Sequence, residues 1–247
     1  ILIDCKDAMG ANACNTVAES LSSRMEEISG GKSLLKIVSN LAIGRIVEAS
    51  ATFDKELLGG EQVVESILDG SEFAHNDAYR AVTSNKGIMN GITAIAIATG
   101  QDTRAIESSV HAYASISGRY IPLTTWKKDS SGNLFGTIKI PIPVGIIGGM
   151  ASVHPSSKIC LKILRVKTAA QLSEIMASIG LAQNLAALRA LVSEGIQEGH
   201  MKMHLMNILN QFEATDNEKI ILVDHFKTNV VTHNAVVDAI NKLRNKS

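Results

Sequence analysis

The sequence predicts an α+β fold: mostly helices, one of them buried in the core, with a β-hairpin or small sheet. Three observations predict it. Apolar residues recur at helical spacing in long segments, as with Val17, Leu21, Met25 and Ile28, and again with Val64, Ile67 and Leu68. The run from Ile92 to Thr99 is built of Ala, Ile and Thr with no polar face, and a helix that is apolar all round is buried in a core. Leu123-Thr-Thr-Trp126 and Leu134-Phe-Gly-Thr-Ile-Lys-Ile140 are rich in β-favouring residues and flank Asp129-Ser-Ser-Gly-Asn133, a turn composition.

In chain order, residues 7–29 read as a helix capped by Asp7 and ended by Gly30-Gly31. Leu34 to Val38 reads as a strand, and a second apolar stretch starts at Ile46. Gly59-Gly60 opens a helix over about 61–79. The polar start and two glycines of Thr83-Ser-Asn-Lys-Gly-Ile-Met-Asn-Gly-Ile92 read as a loop feeding a helix. Asp102 caps a helix over about 103–117. After the hairpin come helices over 156–164, 168–179 and 181–198, with Gly180 and Gly199 as breaks. A short helix and an Asn-rich tail follow, the tail ending in a helix over about 231–244. Thr215-Asp-Asn-Glu218 fits a capping box.

Composition narrows the function classes. Hydrophobic residues are 45% of the 247 and charged residues 19%, enough apolar content for a packed core. The formal net charge is zero and no basic stripe appears, which argues against nucleic acid as a partner. No run of about 18 apolar residues stands out, so no membrane partner is expected. Cys5, Cys14 and Cys160 lack CxxC spacing and read as free thiols, which gives a cytoplasmic expectation. The chain opens Ile-Leu-Ile-Asp, without Met or signal peptide, and reads like the middle of a strand.

Several motifs are weighed on their chemistry. Gly31-Lys32-Ser33 has the ending of a P-loop, but Glu26 stands where the earlier glycine is required. No GxGxxG follows a strand, so a Rossmann site is not supported. His200 and His204 are spaced i, i+4 but lack a third ligand and an HExxH context, so no metal is expected. Asp7-Ala-Met-Gly-Ala-Asn12 puts small residues at a helix start, where free N–H groups let a phosphate approach closely; tight helix packing needs the same residues. Lys86 lies between a polar loop and the buried helix, with Asp102 at that helix's far end. A lysine there is either paired or used.

Taken together, these segments resemble the 3-hydroxy-3-methylglutaryl-CoA reductases, specifically their class II branch. The resemblance is carried by Asp7-Ala-Met-Gly-Ala-Asn12, Ser39-Asn-Leu41, Tyr79-Arg-Ala81, Asn85-Lys-Gly-Ile-Met-Asn-Gly91 and Ala98-Thr-Gly-Gln-Asp102. Leu123-Thr-Thr-Trp126, Pro141-Ile-Pro-Val-Gly145, Gly148-Gly149 with His154-Pro155, Gly180-Leu-Ala-Gln-Asn-Leu185 and Glu194-Gly-Ile-Gln-Glu-Gly-His-Met201 continue it in order. It implies conversion of 3-hydroxy-3-methylglutaryl-CoA to mevalonate and CoA with two NADH or NADPH, or the reverse oxidation, in a homodimer or higher homo-oligomer whose sites form between subunits. It implies three parts: residues 1–38 from a small, non-Rossmann NAD(P)-binding domain, 39–198 from a large helical catalytic domain around a buried central helix, and 199–247 as a mobile helical lid.

The resemblance also assigns roles. Lys86 matches the catalytic lysine that donates to the thioester oxygen, Asp102 the aspartate that orients it, and His200 the histidine that protonates the departing thiolate. Arg80 matches the arginine that holds the substrate carboxylate, and Asn90, Gln183 and His204 join it in substrate binding. Asp7, Ala8, Met9, Gly10, Ala11, Asn12 and Asn40 fall to the cofactor. A catalytic glutamate, and the residue that meets the ribose 2′ position, are expected ahead of Ile1. Two rivals remain at this point: a non-catalytic interaction or dimerisation domain of the same fold, and another CoA-thioester enzyme. The first is separated by the effect of altering Lys86; the second needs a nucleophile, and no cysteine or serine sits in a recognisable elbow.

Overall fold

The computed structural model describes residues 1–193 and 196–245; the side chains of residues 196–200 and of Lys202 lie outside that description, as do Glu194 and Gly195. The chain divides into two compact units, Ile1–Leu188 and Arg189–Ser247.

In the first unit the order is α1 (Ala11–Ser29), β1 (Ile46–Phe53), α2 (Lys55–Leu58), α3 (Glu61–Asn76), α4 (Ala78–Ala98), α5 (Thr103–Ala114), β2 (Thr124–Lys128), β3 (Leu134–Pro141), α6 (Gly149–Val153), α7 (Pro155–Leu164) and α8 (Ala169–Val192), whose last turn enters the second unit. The fold is α+β, with an antiparallel sheet of order β1-β3-β2. The expected hairpin is β2–β3, closed by Asp129, whose carboxylate accepts the N–H groups of Ser131 and Asn133. The third strand, β1, is the apolar stretch noted from Ile46. Leu134, Ile138 and Ile140 alternate inward. Trp126 is paired with Gly136, and its ring covers the place a Cβ would fill. Phe53 adds a tilted ring contact at 6.0 Å.

The core is built where α4 crosses α8. Ile88, Met89, Ile92 and Ala96 of α4 are buried, as are Leu172, Met176, Ala177 and Leu181 of α8. Two glycines allow the approach. A Cβ at Gly91 would stand 2.8 Å from Ile179 Cγ2, and one at Gly180 would stand 3.0 and 3.1 Å from Ile92 and Ile88. Gly180 is therefore a crossing point and not the expected break, and α8 runs through it. α8 is also long and apolar enough to cross a membrane, but its ten buried residues are the pattern of a core helix.

Four further expectations are corrected. Residues 83–91 are not a loop: α4 starts at its cap Asp77, whose carboxylate accepts from Tyr79 and Arg80 N–H, and runs through them. Ser84 and Asn85 are buried because partners meet them: Asn85 donates to Ile121 C=O and accepts Leu123 N–H, both at 2.9 Å. The central helix is not apolar on every side in its packing. Its outward face carries Val82, Lys86, Asn90, Ala94 and Ile97, and Ile97 is 67% exposed. Leu34–Val38 is not a strand and belongs to no sheet; Ser33 and Val38 N–H are taken by Glu26 and Asn15 side chains of α1. Asp7 does not cap α1, whose N-cap is Gly10.

The second unit holds α9 (Ile196–Gln211), α10 (Asp216–His225) and α11 (His233–Arg244) around a core of Leu205, Leu209, Leu222, Phe226, Val236 and Ile240. α9 continues through Gly199, read in the sequence as a break. The Thr215–Glu218 capping box is present, and Arg244 Nε donates to Glu218 at 2.7 Å, joining the end of α11 to the start of α10.

Candidate active site

The loop from Cys5 to Gly10 is held from four directions. The Asp7 carboxylate accepts the N–H of Ala169, the first residue of α8, at 2.8 Å, and the Asp7 carbonyl accepts Ile146 N–H at 2.9 Å. Arg45 donates one guanidinium N–H to Ala8 C=O and another to Val144 C=O, at 2.9 and 2.8 Å. Gln101 accepts Gly145 N–H at 2.9 Å, and Gly145 lies so close to the Met9 nitrogen that a Cβ there would collide with it. The chain reverses at Gly10 with φ +104°, a left-handed value that favours glycine. α1 then starts with no side-chain cap and no acidic residue in its first turn. Its leading N–H groups remain open to an anion.

This loop walls a cleft of about 660 Å³. Met9, Gly10, Ala11 and Asn40 of the expected cofactor set line it, together with Cys5, Cys14 and Arg45. Asp7 and Ala8 anchor the loop instead of lining the cleft, and Asn12 is exposed on α1 outside the wall. Arg45, Gln101 and Gly145 were missed as positioning residues. Gln101 and Gly145 stand inside recognised motifs, but Arg45 has no local signal, since its two acceptors lie 37 and 99 residues away.

The expected catalytic residues divide. Lys86 and Asn90 share the exposed face of α4, one turn apart, and Gln183 of α8 lies across Gly91. Arg80 is half-buried in the first turn of α4, on a different stripe from Lys86. Asp102 is exposed and caps α5 through Ala105 N–H at 3.0 Å. Its turn is tied through Gln101 and Gly145 to the Asp7–Gly10 loop. Lys86 and Asp102 do not meet. Gln101 N–H bonds back to Ala96, and Ala96 is about 15 Å along the helix from Lys86 at 1.5 Å per residue. In the second unit His204 is exposed on α9; His200 lies on the same helix, and its side chain is outside the described residues. Among the described residues no three His, Cys, Asp or Glu side chains gather as a metal site.

The class is set by this arrangement: an α+β fold with a cleft walled by a small-residue turn at an uncapped helix start, and, among the described residues, an antiparallel sheet where a Rossmann fold has a parallel one. The chain belongs to the hydroxymethylglutaryl-coenzyme A reductase family, whose model matches residues 1–205. It is 55% identical over 218 residues to the 3-hydroxy-3-methylglutaryl-coenzyme A reductase of Archaeoglobus fulgidus, covering 88% of this chain and 50% of that one. It is 37% identical to a probable reductase of the same name from Borreliella burgdorferi, covering 99% of this chain and 59% of the relative. Among solved structures it resembles the class II enzyme of Streptococcus pneumoniae bound to NADPH in open conformations, with TM-score 0.75 and 45% identity over 77% of this chain and 53% of that one. Another structure of the Streptococcus pneumoniae reductase is similar over 99% of this chain and 59% of its own, with TM-score 0.76 and 41% identity. The chain thus spans about half the length of the curated relatives it matches.

Proposed function

We propose that the protein reduces 3-hydroxy-3-methylglutaryl-CoA to mevalonate and CoA with NADPH or NADH, working as a homodimer or higher homo-oligomer. The relatives carry this activity in their names, and one solved relative holds NADPH. The observation that carries the reading here is the cleft beside Met9, Gly10, Ala11 and Asn40, where α1 starts uncapped. Open N–H groups, no acidic side chain in the first turn and a glycine that admits close approach fit a phosphate-bearing cofactor. When bound, the reduced nicotinamide supplies the hydride.

The chain's own residues do the rest. Lys86 donates to the thioester oxygen as negative charge builds on it. Asp102 orients and tunes that ammonium, Arg80 holds the substrate carboxylate, and Asn90 and Gln183 line the substrate's place beside Lys86. His200 delivers a proton to the leaving thiolate, carried on a lid formed by residues 199–247. The lid reading is supported by the separate core of the second unit.

The separation of Lys86 from Asp102 supports a site completed by two copies, each giving one half. The exposed Val82 one turn from Lys86, with exposed Tyr79 and Ile97 toward the two ends of α4, is the kind of surface a second copy would cover. The test is subunit complementation in the complete enzyme. Lys86→Ala and Asp102→Ala each lower NADPH-dependent mevalonate formation by a factor on the order of 100 or more. Mixing the two inactive proteins under subunit exchange restores activity, because one of the two sites in a mixed dimer keeps both residues. No recovery in verified mixed dimers would overturn the shared site, and near-normal turnover of Lys86→Ala would overturn the reading of the chemistry.

A further inference from the structure

We propose that Cys5 and Cys14 form a reversible disulfide that locks the Asp7–Asn12 loop and so switches the cleft it walls; the functional half of this rests on reading that cleft as the cofactor site. The two sulfurs stand 3.9 Å apart, and both residues line the cleft, which gives a small oxidant access. In sequence they bracket the whole Asp7-Ala-Met-Gly-Ala-Asn12 motif, so one bond between them closes a ring around it. A disulfide needs its sulfurs about 2.05 Å apart, a closure of roughly 2 Å across the turn.

The surrounding geometry determines what that closure would move. Cys5 Sγ occupies the space that Gly10 leaves by having no side chain; a Cβ at position 10 would stand 2.5 Å from it. Cys5 C=O accepts Ala8 N–H at 3.0 Å, and Cys14 N–H donates to Gly10 C=O at 2.9 Å. Both cysteines are therefore hydrogen-bonded into the turn that presents Met9 and Gly10 to the cleft. Drawing Cys5 toward α1 displaces the sulfur from beneath Gly10 and pulls on that turn. Burial pushes the Cys5 thiol up, with Cys14 adding to the effect, which disfavours Cys5 as the first nucleophile and leaves it the resolving role.

The oxidant is a low-molecular-weight disulfide. The Cys14 sulfur, losing its proton to solvent, attacks one of its sulfurs, breaks the S–S bond and expels one thiolate, which takes up a proton, leaving a mixed disulfide on Cys14. The Cys5 sulfur, losing its proton to solvent, then attacks the Cys14 sulfur and expels the second thiolate. Two protein thiols are oxidised and one small disulfide is reduced to two thiols; a dithiol reverses both steps.

The experiment treats the whole protein with oxidised glutathione and maps cross-links by mass spectrometry without reduction. The expected product is lighter by two hydrogens, carries a Cys5–Cys14 link and reverts with dithiothreitol. Cys160→Ser behaves as wild type, and Cys5→Ser, which lacks the resolving sulfur, accumulates only a glutathione adduct on Cys14. NADPH is expected to bind the oxidised form at least about tenfold more weakly than the reduced form, since ångström-scale misplacement of positioned groups costs that much or more. Oxidant-treated Cys14→Ser/Cys5→Ser should show no such loss relative to its untreated form. Separate glutathione adducts on Cys5 and Cys14 without a link overturn the proposal, as does a linked protein that binds NADPH as well as the reduced one. Failure of the reduced protein to bind NADPH overturns the cofactor reading instead. The lock is then judged by hydrogen exchange across residues 5–14, and equal exchange in linked and reduced forms overturns it.

Discussion

Replacing Asn184 with Leu isolates the polar pin that holds α8, α4 and the hairpin together. Asn184 is 1% exposed. Its Oδ1 accepts from Thr124 Oγ1 at 2.8 Å and Trp126 Nε1 at 2.9 Å, and its Nδ2 donates to Ser84 Oγ at 3.1 Å. The amide's orientation follows from these neighbours, because an indole N–H can only donate. Leucine keeps the volume, so the cost is not a cavity. It comes from two donors stranded in the core, Thr124 at 2% and Trp126 at 6% exposure. Each stranded donor costs about 1–3 kcal/mol, so roughly 3 kcal/mol is expected for the pair after partial relaxation. In a unit of this size that is a fall in Tm of roughly 6–12 °C. Trp126 is the only tryptophan in the chain, so urea unfolding followed by its emission reports on this unit directly. The midpoint should fall with the m-value unchanged. In a double-mutant cycle, Trp126→Phe should couple to Asn184→Leu by about 0.5–3 kcal/mol. A loss below about 0.5 kcal/mol, the range of ordinary surface changes, would refute the reasoning.

Two other perturbations probe the loop and the second unit. Gly145→Ala pushes a methyl group into the Met9 backbone; the strain of about 1–3 kcal/mol should raise the Kd for NADPH about tenfold or more in a calorimetric titration, and an unchanged Kd would break the link between this contact and the cleft. Glu218 is held down to about 2, from an ordinary 4.5, first by Arg244 and then by Thr215 N–H. A depressed carboxylate stabilises the fold above its unfolded value and loses that contribution as pH falls, so helicity of residues 189–247 should weaken between about pH 4.5 and 2. Arg244→Met should flatten that dependence, as followed by circular dichroism of the whole protein; equal slopes in both proteins would refute it.

Local chemistry was legible in the sequence wherever the partners are close neighbours. The Thr215 capping box, the Asp102 cap and the Asp129 turn involve groups within four residues of each other, so their residue types announce them. The motif residues around Lys86, Asp102 and the Asp7–Asn12 loop were also recognisable, because they are short and ordered. What the sequence could not determine are features whose partners arrive from far along the chain. Gly91 and Gly180 look like helix breakers in isolation; only the crossing of α4 and α8 shows that the missing Cβ is there to admit another helix. Ser84 and Asn85 look like loop residues until Asn184, Ile121 and Leu123 satisfy them inside the core. Leu34–Val38 has strand composition, but a strand exists only when a neighbour supplies backbone partners, and α1 side chains instead take the N–H groups of Val38 and of the adjoining Ser33. Arg45 is an ordinary arginine in sequence. The tertiary fold makes it a clamp by placing Ala8 and Val144 carbonyls on its two nitrogens, because a guanidinium binds wherever acceptors converge and a chain's local pattern carries no record of that convergence.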